Sequence, residues 1–191
     1  MKKHLFLIII LLTLSKQALA CICSAYDEPL VKEMIGYSDI IFIGKVIGSD
    51  NWNPYVVEMW DKERRGSDVI IQVESVIKGN IKKNDLIFVY QSAGSCTESF
   101  EYGSTHLIFG NRILKIHQLE EKLDSSTELP PPGPDESGLQ EEGVYKTNAD
   151  GEPIDFLRKQ IQKYTVIDTD MCRSFLQNSN SYNKVISYID N

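Results

Sequence analysis

The sequence has little histidine, few cysteines and a deficit of positive charge, and each shortage excludes a class of function. Its 20 lysines and arginines stand against 27 aspartates and glutamates, a formal net charge of −7 over 191 residues. Such a chain lacks the basic surface that phosphate backbones attract, so nucleic-acid binding is not expected. Hydrophobic residues make up 42% of the chain and charged residues 25%, which is typical of a globular domain and excludes disorder throughout.

Motifs for catalysis are absent as well. Beyond the first twenty residues the only histidines are His106 and His117, each in a β-rich segment where a residue of the surface or of a β-barrel is expected rather than a ligand. The chain has no H-E-x-x-H zinc motif, no G-x-S-x-G elbow, no phosphate-binding loop and no dinucleotide glycine pattern. No histidine and aspartate are placed to activate Ser92 or Ser95. We therefore expect a binding protein without a cofactor rather than an enzyme.

Only one long apolar run is present, and it lies at the N-terminus. Two lysines precede the run Leu5–Leu12, and residues 18–20 are Ala-Leu-Ala. This pattern predicts a secretory signal peptide over residues 1–20, cleaved before Cys21. A membrane anchor is the alternative, but the run falls well short of the ~20 residues that cross a bilayer. The mature chain, 21–191, is therefore expected to be a single domain, secreted or periplasmic and without a transmembrane span.

A cysteine at the first mature position is also the acylation site of bacterial lipoproteins. Lys16 and Gln17 are poor matches to the apolar residues that precede a lipidated cysteine. Lipidation of Cys21 would also leave three cysteines, an odd number, in an oxidising compartment. We therefore favour an unmodified, disulfide-bonded Cys21 over a lipid anchor.

The cysteines Cys21, Cys23, Cys96 and Cys172 are expected to form disulfides because the protein is exported. Zinc binding is not favoured, since the paired C-x₂-C knuckles of structural zinc sites are lacking. A bridge between Cys21 and Cys23 would close a strained ring across one residue, which leaves two connectivities. Both tie the N-terminus to two distant segments and clamp the chain on either side of Ile22.

Five segments have the β-branched, apolar composition of strands. Gly44, inside the first segment, indicates a bulge or the bend of a barrel. Five strands with irregular loops and short helices predict a mainly β fold, a five-stranded OB-like Greek-key barrel, with a sandwich as the alternative. The segments are Asp39–Gly48, Val69–Ile77, Asp85–Gln91, His106–Phe109 with its continuation Arg112–Ile116, and Tyr164–Asp168.

Two helices and an acidic insertion complete the prediction. Asp27–Gly36 has an N-cap aspartate and a terminal glycine, and residues 181–190 repeat apolar side chains at i, i+3, i+4 and i+7. Residues 119–163, between the fourth and fifth strands, are acidic and proline-rich, with eleven acidic and two basic side chains within 120–155. We expect this stretch to be a solvated insertion.

The mature chain begins with Cys21-Ile22-Cys23, and further short motifs follow in order: Ser38–Gly48, Lys78-Gly79, Asp85–Tyr90, Ser95-Cys96, His106–Gly110 and Met171–Phe175. In order and spacing these motifs resemble the netrin-like module, and most closely the N-terminal domain of the tissue inhibitors of metalloproteinases. The likeness covers about residues 21–118 and 164–176. Its most specific element is the Cys-x-Cys at a signal cleavage site.

The resemblance implies an OB-like barrel and the disulfides Cys21–Cys96 and Cys23–Cys172. In that family the α-amino group and carbonyl of the first cysteine chelate the zinc of a protease, and the next side chain enters its specificity pocket. Cys21 and Ile22 occupy these positions here, so the resemblance implies an inhibitor of an exported zinc metalloprotease. A catalytic zinc keeps one position for water, and an α-amine can lose its proton at modest cost and displace that water.

A second function class stays open, a non-inhibitory extracytoplasmic interaction module, which a lipid could also anchor to the envelope. Such a module would bind another exported protein through the barrel face or the acidic insertion. Trp52 and Trp60, in the long loop or hairpin 49–67, are its candidate anchors, although aromatic residues of this kind more often pack on their own domain.

Intact mass spectrometry of the native mature protein tests export and disulfide formation together. We expect a chain that begins at Cys21 and is lighter than the reduced sequence by two hydrogens for each of two disulfides. Reduction should restore these hydrogens. A diacylglycerol mass on Cys21 would contradict the free α-amine and with it the inhibitor hypothesis.

Overall fold

A computed structural model describes residue 23 and residues 25–50, 65–91, 97–118, 143–147 and 152–190. The elements in chain order are α1 (Glu28–Tyr37), β1 (Ile40–Ser49), β2 (Arg65–Gly66), β3 (Val69–Lys78), β4 (Leu86–Tyr90), β5 (Phe100–Glu101), β6 (Thr105–Arg112), β7 (Lys115–Gln118), β8 (Val144–Thr147), α2 (Glu152–Lys163), β9 (Thr165–Asp168), β10 (Ser174–Leu176) and α3 (Asn180–Ile189).

Five of these strands close into a barrel in the order β1-β3-β4-β9-β6, and β6 pairs back onto β1. Neighbouring strands are antiparallel except β4 and β9, which are parallel. The barrel strands are the five that the sequence predicts, with ends that differ by at most three residues. The expected continuation of the fourth strand over Arg112–Ile116 is wrong, because β6 ends at Arg112 and Lys115–Gln118 form the separate strand β7, which pairs with β8. The mainly β, OB-like barrel is therefore confirmed.

Gly44 lies at an irregularity in the pairing of β1. The pairing register between β1 and β3 shifts between Ile43 and Gly44. A Cβ atom at position 44 would lie 2.5 Å from Cγ2 of Ile71 and 2.9 Å from the carbonyl oxygen of Gln72. The glycine therefore lets the two strands approach closely at the irregularity, as the sequence predicts.

The barrel interior is filled by side chains that every second strand residue directs inward. Each of the five strands contributes at least one of them, and they form one cluster with Phe100 and Ile81. This cluster contains Ile40, Phe42, Val46, Val69, Ile71, Val73, Ile87, Val89, Ile108 and Ile167.

Two helices cover the outside of the barrel where β1 and β6 meet. Asp27 caps α1 by accepting a hydrogen bond from the amide of Leu30, and Ser179 caps α3 in the same way. Val31 of α1 and Val185 of α3 are fully buried against outward-facing Ile41, Leu107 and Phe109. Alternating residues of β1 thus enter two different cores, which explains its continuous hydrophobicity. Both predicted helices are confirmed.

The prediction of a solvated insertion over 119–163 is wrong for its C-terminal part. Residues 144–147 form β8, parallel to β7, and Glu152–Lys163 form α2. Ile154 and Leu157 of α2 are buried, Leu157 in a third cluster with Phe88, Ile113 and Val166. The apolar residues of α2 recur at helical spacing, but the acidic residues that precede the helix dominate the composition of the window. The remaining positions, 119–142 and 148–151, lie outside the described residues.

The structure also contains elements that the sequence does not predict. Strands β2 and β5 form a two-stranded pair. Strand β10 pairs with residues 106–108 of β6, which β9 leaves unpaired because it contacts only Asn111 and Arg112. None of them exceeds three residues, too short for a periodic signal. No helix within the described residues is long and apolar enough to cross a membrane.

Replacing a buried residue of α2 tests whether this helix belongs to the core. We expect Leu157→Ala to lower the free energy of unfolding by about 2–5 kcal/mol, because it leaves a cavity above β4 and β9. Lys159→Ala, on the exposed face of the same helix, is the matched control and should change stability by less than about 0.5 kcal/mol. Urea unfolding of the oxidised protein measures both. Equal, small effects would mean that α2 does not pack on the barrel.

Candidate functional site

A disulfide attaches the N-terminal segment to the barrel. Cys23 is bonded to Cys172, 149 residues away, and their Cα atoms are 5.3 Å apart. This is one of the two pairs that the resemblance implies. Cross-linking a loop of this length removes about 4–5 kcal/mol of chain entropy from the unfolded state in the simplest model. The other residues of the predicted site, Cys21, Ile22 and Cys96, lie outside the described residues.

The turn that carries Cys172 is held by its own polar side chains. Asp170 accepts a hydrogen bond from the amide of Cys172 at 2.8 Å and another from Nε of Arg173 at 2.9 Å. The guanidinium of Arg173 also donates to the carboxylate of Asp168 at 3.3 Å. The backbone carbonyl of Arg173 accepts a hydrogen bond from the amide of Phe109. Burial raises the pKa of Asp168, and the charge of Arg173 opposes that rise. The disulfide is therefore anchored to a preorganised turn rather than to a loose loop.

Tyr26 provides a second link between the N-terminal segment and this turn. Its hydroxyl donates to the carbonyl oxygen of Cys172 at 3.1 Å, across 146 residues of sequence. Its ring packs edge-on against Phe175, with ring centroids 4.8 Å apart, and Phe175 in turn packs on Phe109. Burial raises the pKa of Tyr26, and the charges of Asp170 and Glu98 add to that rise. Both the disulfide and this tyrosine fix the chain shortly after Cys21.

Gln91 clamps the two ends of the segment that contains Cys96. Its side-chain amide donates to the carbonyl oxygens of Ser67 at 2.7 Å and Glu98 at 3.0 Å, and its side-chain oxygen accepts the amide of Glu98 at 2.6 Å. Its own amide donates to Asp68 at 3.1 Å. Burial raises the pKa of Asp68 to about 6, although this hydrogen bond favours the carboxylate. The side chain of Gln91 therefore holds residues 91 and 98 close together, on either side of Cys96 in sequence.

The N-terminal segment, the Glu98 region and the Cys172 turn border a common cavity of about 510 Å³. Its lining combines the disulfide and apolar side chains with the half-buried carboxylate of Glu98, whose pKa burial raises. Residues that are close in sequence to Cys23, Cys96 and Cys172 thus border one cavity. We call this opening the N-terminal cavity; the residues described along it are Cys23, Ala25, Tyr26, Glu98, Met171, Ser174, Phe175, Leu176, Ser179 and Ser181.

His106 lies behind this cavity, buried in the barrel wall with 3% of its surface exposed. Its ring nitrogens contact the hydroxyls of Ser104 at 2.9 Å and Ser174 at 3.3 Å, and Phe100 packs edge-on against the ring. Burial lowers its pKa to about 4. The side-chain hydrogen bonds of this imidazole involve hydroxyls and no carboxylate in the part of the chain that the structure describes, so the arrangement is that of a barrel residue. His117 is exposed on β7.

No three histidine, cysteine, aspartate or glutamate side chains within the described ranges come together as a metal site. The candidate anchors Trp52 and Trp60 fall in the gap between residues 50 and 65. Tyr26, Gln91 and Glu98 were not singled out from the sequence, because their partners lie on other elements. Asp170 is different: an aspartate two residues before a cysteine is a recognisable turn-forming pattern.

The comparisons with known proteins supply no relative for this chain. No protein-family model, curated protein or solved structure matches it.

The buried imidazole predicts a loss of stability in acid. Between pH 6.5 and about 4, His106 is protonated in the unfolded chain but not in the native barrel. The contribution of the neutral imidazole to the free energy of unfolding is therefore complete above pH 6.5 and is lost as the pH falls towards 4. The substitution His106→Gln removes this titratable imidazole. We expect the stability difference between wild type and variant to change by about 3 kcal/mol between pH 7 and pH 4, in favour of the variant in acid.

Comparing the two proteins at each pH cancels the opposite contribution of Asp68. Its raised pKa makes the native state bind the extra proton between pH 3.8 and about 6, which stabilises the fold as the pH falls. Denaturant unfolding at several pH values measures the difference. A difference that is constant across this range would contradict a buried, neutral His106.

Proposed function

We propose that this protein is an exported netrin-like inhibitor of a zinc metalloprotease. In this proposal the α-amino group and carbonyl of Cys21 chelate the protease zinc, and the Ile22 side chain enters the specificity pocket. The observation that carries the proposal is the Cys23–Cys172 disulfide, reinforced by the hydrogen bond from Tyr26 to the carbonyl of Cys172. These contacts hold the chain two and five residues after the chelating position, Cys21.

Three properties support this function. The OB-like barrel and the disulfide agree with what the resemblance implies for the fold. The disulfide also suits the oxidising compartment to which a signal peptide would deliver the chain. Finally, an inhibitory terminus that is ordered before binding avoids the entropy cost that a loose peptide would incur on entering an active site.

The chemistry of chelation sets strict demands on the first residue. The amine must be free and uncharged when it binds, and it must lie within a bond length of the metal while the carbonyl oxygen of the same residue also reaches it. An added residue in front of Cys21 would convert the amine into an amide, which is a poor zinc ligand. The position of the N-terminus is therefore the most sensitive feature to change.

Placing one extra alanine before Cys21 tests the proposal directly. We expect the unaltered mature protein to inhibit at least one member of a panel of thermolysin-type and metzincin-type proteases. The alanine extension should weaken that inhibition by at least about 100-fold, since a metal chelate of several kcal/mol is lost. Ile22→Ala should retain chelation and weaken inhibition by only about 10-fold, the cost of one emptied side-chain pocket.

Intact mass and urea unfolding of both variants serve as the fold controls. Each variant should lack the same four hydrogens as the unaltered protein, relative to its own reduced sequence, and should unfold at the same urea concentration. Equal potency of the extended and unextended proteins would contradict the chelation mechanism. Failure of the unaltered protein to inhibit any member of the panel would favour the interaction module instead.

A further inference from the structure

The N-terminal cavity runs along one edge of β10. It contacts the three consecutive strand residues Ser174, Phe175 and Leu176. Successive side chains of a strand point to opposite faces of a sheet, so a cavity that touches all three borders the edge of the strand rather than one face.

The hydrogen bonds of β10 identify which edge this is. The carbonyl of Arg173 accepts the amide of Phe109 at 2.9 Å, and the amide of Gln177 donates to Thr105 at 2.8 Å. Because backbone groups alternate in an antiparallel ladder, residues 173, 175 and 177 face β6. Ser174 and Leu176 therefore direct their backbone groups away from β6. The carbonyl of Leu176 accepts the amide of Ser179 at 3.1 Å, so the groups that face the cavity are the N–H and C=O of Ser174 and the N–H of Leu176. Strand β10 is also the last in the order of its sheet among the described strands.

Charge and shape across the cavity define what this edge can receive. Glu98 contributes a half-buried carboxylate, and no lysine or arginine is among the described residues that border the cavity. Met171 and Leu176 add apolar surface, and Leu176 is 51% exposed. A long aliphatic side chain that ends in a cation matches this lining, since its stem packs on the apolar residues and its charge pairs with the carboxylate.

We propose that the outer edge of β10 binds an extended segment of a partner protein, which adds as a strand and places a lysine or arginine side chain against Glu98. The N–H and C=O of Ser174 and the N–H of Leu176 would provide the main-chain hydrogen bonds of this β-augmentation, and Glu98 the side-chain specificity. The proposal concerns β10 and Glu98, and it holds whether or not Cys21 chelates zinc.

Short blocked peptides test the charge preference. The probe is an acetylated and amidated pentapeptide, Thr-Val-Lys-Val-Thr, titrated into the oxidised mature protein and followed by amide chemical shifts. We expect shifts at Ser174 and Leu176, and roughly 5-fold tighter binding than for the same peptide with norleucine in place of lysine, as for a partly exposed ion pair. In Glu98→Gln this preference should disappear while the weaker binding remains.

A matched pair of variants tests the strand addition. Leu176→Pro removes the amide that faces the cavity but none of the hydrogen bonds to β6, because residue 176 directs its backbone outward. Leu176→Ala removes the same side chain and keeps the amide. We expect the proline variant to lose peptide binding at least about 5-fold relative to the alanine variant, since one main-chain bond is lost and the edge is blocked.

Peptides methylated on alternate backbone nitrogens provide the same test with the unaltered protein. One methylation pattern should abolish binding and the other should not, so a proline variant that fails to fold does not prevent a decision. Equal binding of both methylated peptides, absence of shifts at millimolar peptide, or equal affinity for lysine and norleucine would each overturn the proposal. Sedimentation of the unliganded protein as a dimer that Leu176→Pro dissociates would also overturn it, because a second copy would then occupy the edge.

Discussion

Strand β1 pairs along both of its edges, with β3 on one side and β6 on the other, and most of the remaining structure depends on this double pairing. It closes the barrel, so that the inward residues Ile40 and Phe42 meet side chains from all the other barrel strands. It also presents Ile41 on the outside, where α1 and α3 bury it. One strand thus belongs to two cores, and Gly44 allows its close approach to β3 at the register shift between them.

The site at the N-terminus is built on that closed barrel through contacts that are remote in sequence. The disulfide joins Cys23 to a turn that Asp170 and Arg173 hold in shape, and Tyr26 adds a hydrogen bond to the same turn. A chain segment far from the core in sequence normally frays, whereas Cys23 and Tyr26 constrain this one at two neighbouring points. Rigidity of this kind benefits any recognition by the terminus, because less conformational entropy is lost on binding.

The two proposed functions are linked by the N-terminal cavity, because Cys23, two residues after Cys21 in sequence, borders the same cavity as β10 and Glu98. Cys21 and Ile22 would act through the chain terminus, while β10 and Glu98 would act through a strand edge and a carboxylate. Short edge strands are a common way of limiting unwanted pairing, and β10 has only three residues. Specificity for a partner would then come from Glu98, since main-chain pairing by itself does not discriminate between sequences.

Local patterns in the sequence determined the five barrel strands, the cap at Asp27, the irregularity at Gly44 and the terminal helix, because each depends on residues that are neighbours in the chain. The same reasoning failed for α2, where the acidic composition of the preceding residues obscured the periodic Ile154 and Leu157. It also could not find β10, which is too short to show a period. Only the tertiary structure decided that Tyr26 donates to Cys172, that Gln91 clamps Glu98, and that β10 exposes its outer edge beside that carboxylate. The contact from Tyr26 to Cys172 and the cavity itself join parts of the chain that are remote in sequence, and no local pattern encodes which distant segments meet.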